Sequence, residues 1–155
     1  MTLGTLLPDI RTTVPGPASR ALAARLSRVE SRNITAMGET GPIFWAEAAG
    51  ANVRDADGNV YVDLTAGFGV AAAGHAHPAV VAAVGGQARR LSHALGDVHP
   101  ADVKVALLER LAELAPGDLS VSILSANGSD AVESAWKTAA LATGRPGAIA
   151  FEGAY

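Results

Sequence analysis

The sequence predicts an α/β chain, and three observations predict it. First, β-forming runs at Ile43-Phe44-Trp45 and Val60-Tyr61-Val62 stand on either side of a strong turn signal, Asp55-Ala56-Asp57-Gly58-Asn59. Asp, Asn and Gly tolerate left-handed backbone, so short antiparallel strands are expected there. Second, the apolar run Val121-Ser122-Ile123-Leu124 passes through small residues into a helical pattern. Third, after the turn Gly144-Arg145-Pro146-Gly147 comes another apolar run, Ala148-Ile149-Ala150-Phe151. Strand, helix, strand in that order predicts a right-handed crossover in a parallel sheet.

The remaining elements follow in order. Residues 1 to 17, rich in Thr, Pro and Gly, predict an irregular arm. Residues 18 to 30 predict a helix with Leu22, Leu26 and Val29 on one face. Pro78 suits the first turn of a helix running to about Leu91, with a weak point at Gly85-Gly86. Residues 101 to 114 predict a helix that buries Leu107, Leu108, Leu111 and Leu114 and ends at Pro116-Gly117. The helix of about 130 to 142 carries a smooth face of Ala131, Ala135, Ala139 and Ala142, suited to lying close against a sheet.

Composition narrows the function classes. The chain has 155 residues, 49% of them apolar, enough for one domain with a core and too apolar for disorder. A net charge of −3 and scattered arginines argue against nucleic acid as the main partner. With no cysteine, disulfides, thiolate catalysis and Cys-based zinc sites are excluded. Before Pro8 there is neither a basic region nor a sustained apolar stretch, so no signal peptide is read. His75, His77 and Pro78 interrupt the apolar stretch from Val70 to Val84, so no membrane span is expected either. The expected location is the cytoplasm.

The segment from Ser125 to Lys137 holds the clearest functional signal. The first amides of a helix have no internal partner, and the helix dipole places partial positive charge there. Gly128 would let backbone approach an anion, and Ser129 would add a hydroxyl. The same residues also read as ordinary capping, and Asp130 with Glu133 resembles a capping box. His75 and His77 lack a third ligand of metal-binding pattern, so they read as turn or core histidines, with no metal expected. Asp55 and Asp57 resemble the start of a calcium loop, but Gly58 comes too early and the closing Glu is missing. Phe44, Trp45, Tyr61, Phe68 and Trp136 read as packing residues. The only lysines, Lys104 and Lys137, fall on expected exposed helix faces.

Four ordered stretches carry a resemblance. They are Gly50 to Asp63; Ala66-Gly67-Phe68-Gly69-Val70 followed by Gly74-His75-Ala76-His77-Pro78; Asn127 to Ala135; and Phe151-Glu152-Gly153-Ala154-Tyr155. Together, over about residues 40 to 155, they resemble the N-terminal part of class III (ω-type) aminotransferases, pyridoxal-phosphate (PLP) enzymes of fold type I. The resemblance implies a partial α/β fold. Residues 1–40 would be the arm and first helix, 41–70 the β segment of the small domain, and 71–155 the start of the cofactor-binding large domain.

It also implies roles. Gly128 and Ser129 match positions that hold the cofactor phosphate, and Tyr155 matches the aromatic that stacks on the pyridine ring. Phe68 and Gly69 match positions near the substrate pocket, and Asp130 stands where the family usually has Glu. The family's Schiff-base lysine and the Asp facing the pyridine nitrogen lie far downstream, and neither Lys104 nor Lys137 matches that lysine. The resemblance therefore implies an N-terminal fragment, inactive by itself, of an enzyme passing an amino group from an amine or ω-amino acid to a keto acid. It implies a homodimer for the full-length protein, and an isolated piece with apolar surface left exposed. Two other readings stay open: a non-catalytic module binding a phosphate-bearing ligand or a partner chain, and an aminomutase or decarboxylase of the same fold.

Overall fold

A computed structural model describes residues 2–154 and divides the chain into two units, Met1–Ser92 and His93–Tyr155. The first unit is organised around a three-stranded antiparallel sheet in the order β1 (Trp45–Ala49), β2 (Asn52–Asp55), β3 (Val60–Val62). Strand β2 pairs with β3 through Val53 opposite Tyr61 and Arg54 opposite Val60, closing the hairpin at the expected Asp55–Asn59 turn. The sequence reading missed β2 as a strand of its own. Ile43 and Phe44 also fall outside β1, although the Phe44 carbonyl accepts a hydrogen bond from the Ala56 amide at 2.8 Å.

Polar side chains, rather than a large apolar core, hold this unit together. Among the described residues, Val53 and Val60, 1% and 2% exposed, are buried together with Pro15, and so are the polar Ser19, Asn52, Asp55 and Asn59. Asn52 accepts from the amides of Gly4 (3.0 Å) and Leu6 (2.8 Å) and donates to the carbonyls of Leu6 (3.1 Å) and Tyr61 (3.2 Å). Asn59 accepts from the amides of Arg11 (2.7 Å) and Thr12 (3.0 Å). Asp9 exchanges both backbone hydrogen bonds with Val60. The arm expected to be irregular is therefore pinned to the sheet at three places.

Asp55 closes its own turn. It accepts from the amides of Asp57 (2.9 Å) and Asn59 (2.8 Å), from the Asn59 side chain (2.8 Å) and from the Tyr61 hydroxyl (2.8 Å). Burial pushes its carboxyl upward, but these donors outweigh it and hold Asp55 below the usual carboxylate range. Burial and the neighbouring Asp55 push the Tyr61 hydroxyl up to about 12.

Helix α1 spans Pro17–Leu26, shorter than the expected 18 to 30, because Ser27 to Glu30 close back on its last carbonyls. Its cap comes from the hairpin turn. Asp57 accepts from the amides of Ala18 (2.6 Å) and Ser19 (2.9 Å), two of the donors a helix start leaves free. A Cβ on residue 16 would stand 2.2 Å from the Asp57 Cγ, so glycine there makes room for the cap. Helix α2 spans Pro78–Arg90, begins at Pro78 as expected, and runs unbroken through Gly85-Gly86. Two glycines cost roughly 1 kcal/mol each relative to alanine, too little to break a formed helix by themselves.

The second unit contains α3 (Asp102–Leu114) and α4 (Gly128–Thr143). The strands expected at 120–125 and 148–151 do not form, and neither does the parallel crossover between them. A strand exists only when a neighbour takes up its backbone donors and acceptors, and neither segment has one among the described residues. Val121 and Ile123 instead line a hollow along Ala131, Ala135, Ala139 and Ala142, the small-residue face of α4. No described residue of this unit is buried, and Leu107 and Leu114, expected in the core, are exposed. The whole chain exposes 12282 Å², against roughly 7,200 Å² for a folded monomer of its mass. Among the described residues, no helix is long and apolar enough to cross a membrane.

Candidate functional site

The residues expected to act lie in both units. Gly128 and Ser129 are the first two residues of α4, and Asn127 before them is extended, with φ −158°. The Asn127 side chain accepts from the Asp130 amide at 3.0 Å, and the Asp130 carboxylate accepts from the Ala126 amide at 3.2 Å. The cap is thus Asn127 with Asp130, not the Asp130–Glu133 pairing expected from spacing. Glu133 faces Lys137 at 2.6 Å, an exposed pair that raises the lysine.

This arrangement secures the turn and leaves its anion-binding groups unused. The amides of Gly128 and Ser129 and the Ser129 hydroxyl have no partner among the described residues. They open onto a hollow lined by Asn127, Gly128, Ser129 and Val132, and a Cβ on residue 128 would meet nothing within 4 Å. Two free amides at the start of a sixteen-residue helix, with a hydroxyl beside them, can bind a phosphate or other anion. The Asn127–Asp130 cap uses atoms other than these donors, so capping leaves them available.

Phe68 and Gly69 belong to the other unit, in the loop between β3 and α2. Ala66, Gly67, Phe68 and Gly69 have φ values of 51°, 58°, 64° and 85°, four successive left-handed residues. The Gly69 amide donates to the Thr65 carbonyl at 2.8 Å, completing a left-handed helical turn. For a residue with a Cβ this conformation costs about 1 kcal/mol or more, and here Ala66 and Phe68 both adopt it. Phe68, read as a packing residue, is 96% exposed, and Trp136 is half-exposed.

Asp63 lies beneath this turn. Its Oδ1 accepts from the Thr65 hydroxyl (2.7 Å) and amide (2.9 Å), and its Oδ2 accepts from the Gly67 amide (2.7 Å). The same Oδ2 meets His75 Nε2 at 2.7 Å. The Thr65 hydroxyl first, then His75 and the two amides, hold Asp63 well below the usual carboxylate range against the opposing effect of burial. The His75 ring packs edge-on against Trp45, centroids 5.7 Å apart. His75 is thus a packing and hydrogen-bonding residue of the loop.

Sequence reasoning overlooked Asp63. The available signal was Asp-x-Thr, a common start for a side-chain-closed turn. Lys104 donates to the Gly96 carbonyl, and Lys137 is occupied by Glu133. Tyr155, the expected stacking aromatic, lies outside the described residues.

A family profile described as Aminotransferase class-III matches residues 34–155. The 4-aminobutyrate aminotransferase of Mycobacterium bovis is 40% identical over 145 residues, covering 93% of this chain and 32% of its own length. The 5-aminovalerate aminotransferase DavT of Pseudomonas aeruginosa is 38% identical over 138 residues, with 88% and 32% covered. The alanine/serine racemase of Pyrococcus horikoshii is 34% identical over 148 residues, with 96% and 31% covered. Among solved structures, the (S)-enantioselective omega-transaminase from Thermomicrobium roseum superposes with a TM-score of 0.72 at 25% identity, covering 88% of this chain and 31% of that one. The chain thus spans about a third of the length of these relatives. The α/β transaminase fold expected from the sequence is the fold of its structural neighbour.

Proposed function

The chain belongs to the class-III aminotransferase family, and from that premise we propose that it is the N-terminal part of a PLP enzyme transferring an amino group from an amine or ω-amino acid to a keto acid. The observation that carries this reading is the pair of free amides at Gly128 and Ser129, inside the family-matched stretch. A phosphate dianion fits them. The helix start supplies positive potential, the Ser129 hydroxyl adds a donor, and open space beside Gly128 admits the oxygens. Asn127 and Asp130 keep the turn in shape without drawing on those donors. Tyr155 would stack on the cofactor ring, and Phe68 with Gly69 would face the substrate.

When bound, the cofactor would supply an electron sink for the amino-bearing carbon of the substrate. The residues of this chain would bind and orient it. Proton transfer at that carbon needs a lysine, and neither Lys104 nor Lys137 matches the position of the family's Schiff-base lysine. We therefore take the 155-residue chain to be inactive alone, and the complete protein to be a cytoplasmic homodimer. The names of two relatives favour 4-aminobutyrate or 5-aminovalerate as amino donor. The racemase relative keeps a different reaction of the same fold as a second reading.

Pyridoxamine 5′-phosphate tests the cradle, because its amine cannot condense with surface lysines. Titration of the purified chain should show saturable binding, competed by inorganic phosphate and weakened about tenfold by Ser129→Ala, the loss of one hydrogen bond to a charged group. Pyridoxamine without its phosphate should not bind. Binding indifferent to both phosphate and Ser129→Ala would overturn the cradle. Amino transfer from 4-aminobutyrate by the chain alone would overturn its inactivity.

A further inference from the structure

We infer that Asp63 is a positioning residue, whose carboxylate holds the left-handed turn at 66–69 and so sets how Phe68 and Gly69 are presented to a substrate; the inference rests on the substrate role proposed for those two residues. The turn has hydrogen bonds of its own, from the Gly69 amide to the Thr65 carbonyl, from the Ala71 amide to the Ala66 carbonyl and from the Phe68 amide to the Thr65 hydroxyl. Ala66 and Phe68 nevertheless both disfavour their observed backbone. Further anchoring comes from Asp63. Oδ1 of Asp63 takes both donors of Thr65, which starts the turn, and Oδ2 takes the amide of Gly67 inside it.

The same Oδ2 is tied to His75 at the far end of the loop, and His75 is itself fixed to the sheet. Its backbone exchanges hydrogen bonds with Gly50 at 2.8 and 2.9 Å, and its ring lies edge-on to Trp45 of β1. A continuous path of contacts therefore runs from the sheet through His75 and Asp63 to Gly67. At its end stands Phe68, almost wholly exposed, while the Asp63 side chain is 5% exposed. If the loop only had to reverse the chain, Gly or Asn at position 68 would do so with less strain. A buried carboxylate with four partners supporting a strained, exposed aromatic is suited to displaying that aromatic in one orientation.

Asp63→Asn in the full 155-residue chain tests this. The amide keeps the oxygen that serves Thr65 but puts an NH₂ where Gly67 and His75 now bond. Hydrogen exchange read by NMR should become about tenfold faster at the Gly67 and Gly69 amides, with Val53 and Val60 unchanged. The strong intraresidue amide–Hα contact that marks left-handed residues should weaken at Ala66 and Phe68. Should Asp63→Asn not fold, Thr65→Val removes the hydroxyl that joins Asp63 to the Phe68 amide and keeps the Thr65 and Gly67 amide bonds to Asp63, and the same amides should show a smaller acceleration. Unchanged Gly67 exchange with the left-handed signature intact would overturn the inference. So would acceleration spread equally over Val53 and Val60, which marks a general stability role. A failure of the substrate reading would look different: in the complete protein, Phe68→Ala would leave the preference between small and bulky amines unaltered, whatever the turn does.

Discussion

In the unit that ends at Ser92, Asn52 lies fully buried and bonds to Gly4 and Leu6, the latter 46 residues away. In the unit that follows, Ile149 stands 99% and Phe151 86% exposed. The first segment has a buried interior, largely polar, whereas no described residue of the second is buried. Its side-chain amides and carboxylates each meet a particular backbone group, and such contacts can be satisfied within a short piece of chain. The second segment relies on broad apolar faces, whose stabilisation needs an opposing surface. Polar cross-links therefore order the first unit locally, whereas the second exposes the material of a core.

The widest separation between the two units is expected in acid. Asp55, Asp57 and Asp63 all lie in the first unit, and all are held below their ordinary value of 3.8. A lowered carboxylate stabilises the fold fully above that ordinary value, and the contribution disappears as pH falls through the lowered one. Each unit contains one tryptophan, Trp45 or Trp136. In single-tryptophan variants, acidification below pH 3.8 should shift the Trp45 emission cooperatively and leave the Trp136 emission nearly flat. Coincident transitions would remove the distinction.

A single substitution should do nearly as much. Asn52→Ala takes the side-chain partner from the part-buried amides of Gly4 and Leu6 and the carbonyl of Leu6, which costs about 3 kcal/mol. The urea midpoint of the Trp45 transition should drop, and proteolysis should begin in the arm. An unchanged midpoint would show that water replaces the side chain and that the network is not what orders the unit. The smallest effect is expected in the second unit, from Asn127→Ala, which removes the cap of α4 at about 1 kcal/mol. Circular dichroism should record a slight loss of helix, with the Trp45 signal unmoved.

Much of this molecule was legible before its structure. Pro78 marked the start of α2, and the Asp55–Asn59 cluster marked the hairpin turn, because proline and left-handed-tolerant residues act on the backbone locally. The Asn127–Ser129 segment marked a helix start for the same reason. The wrong expectations concerned pairing. Residues 120–125 and 148–151 have β-forming composition, but a strand is a relation between two segments. Leu107 and Leu114 have the periodicity of a buried face, but burial also needs a cover. Phe68 was read as packing because aromatics commonly pack, whereas it is almost wholly exposed, with no covering segment over it among the described residues.

By itself the sequence determined the helices, the hairpin turn, the family and the helix start at Gly128-Ser129. These depend on residues near one another in the chain, or on motifs kept in order along it. Only the tertiary structure decided that Asp57 caps α1 from the hairpin, that Asn52 and Asn59 hold the arm, and that Asp63 supports the turn under Phe68. Each of these joins a side chain to a donor chosen by the fold. Hydrogen-bonding capacity is written in the residue type, but its partner is set by which segments are brought within about 3 Å.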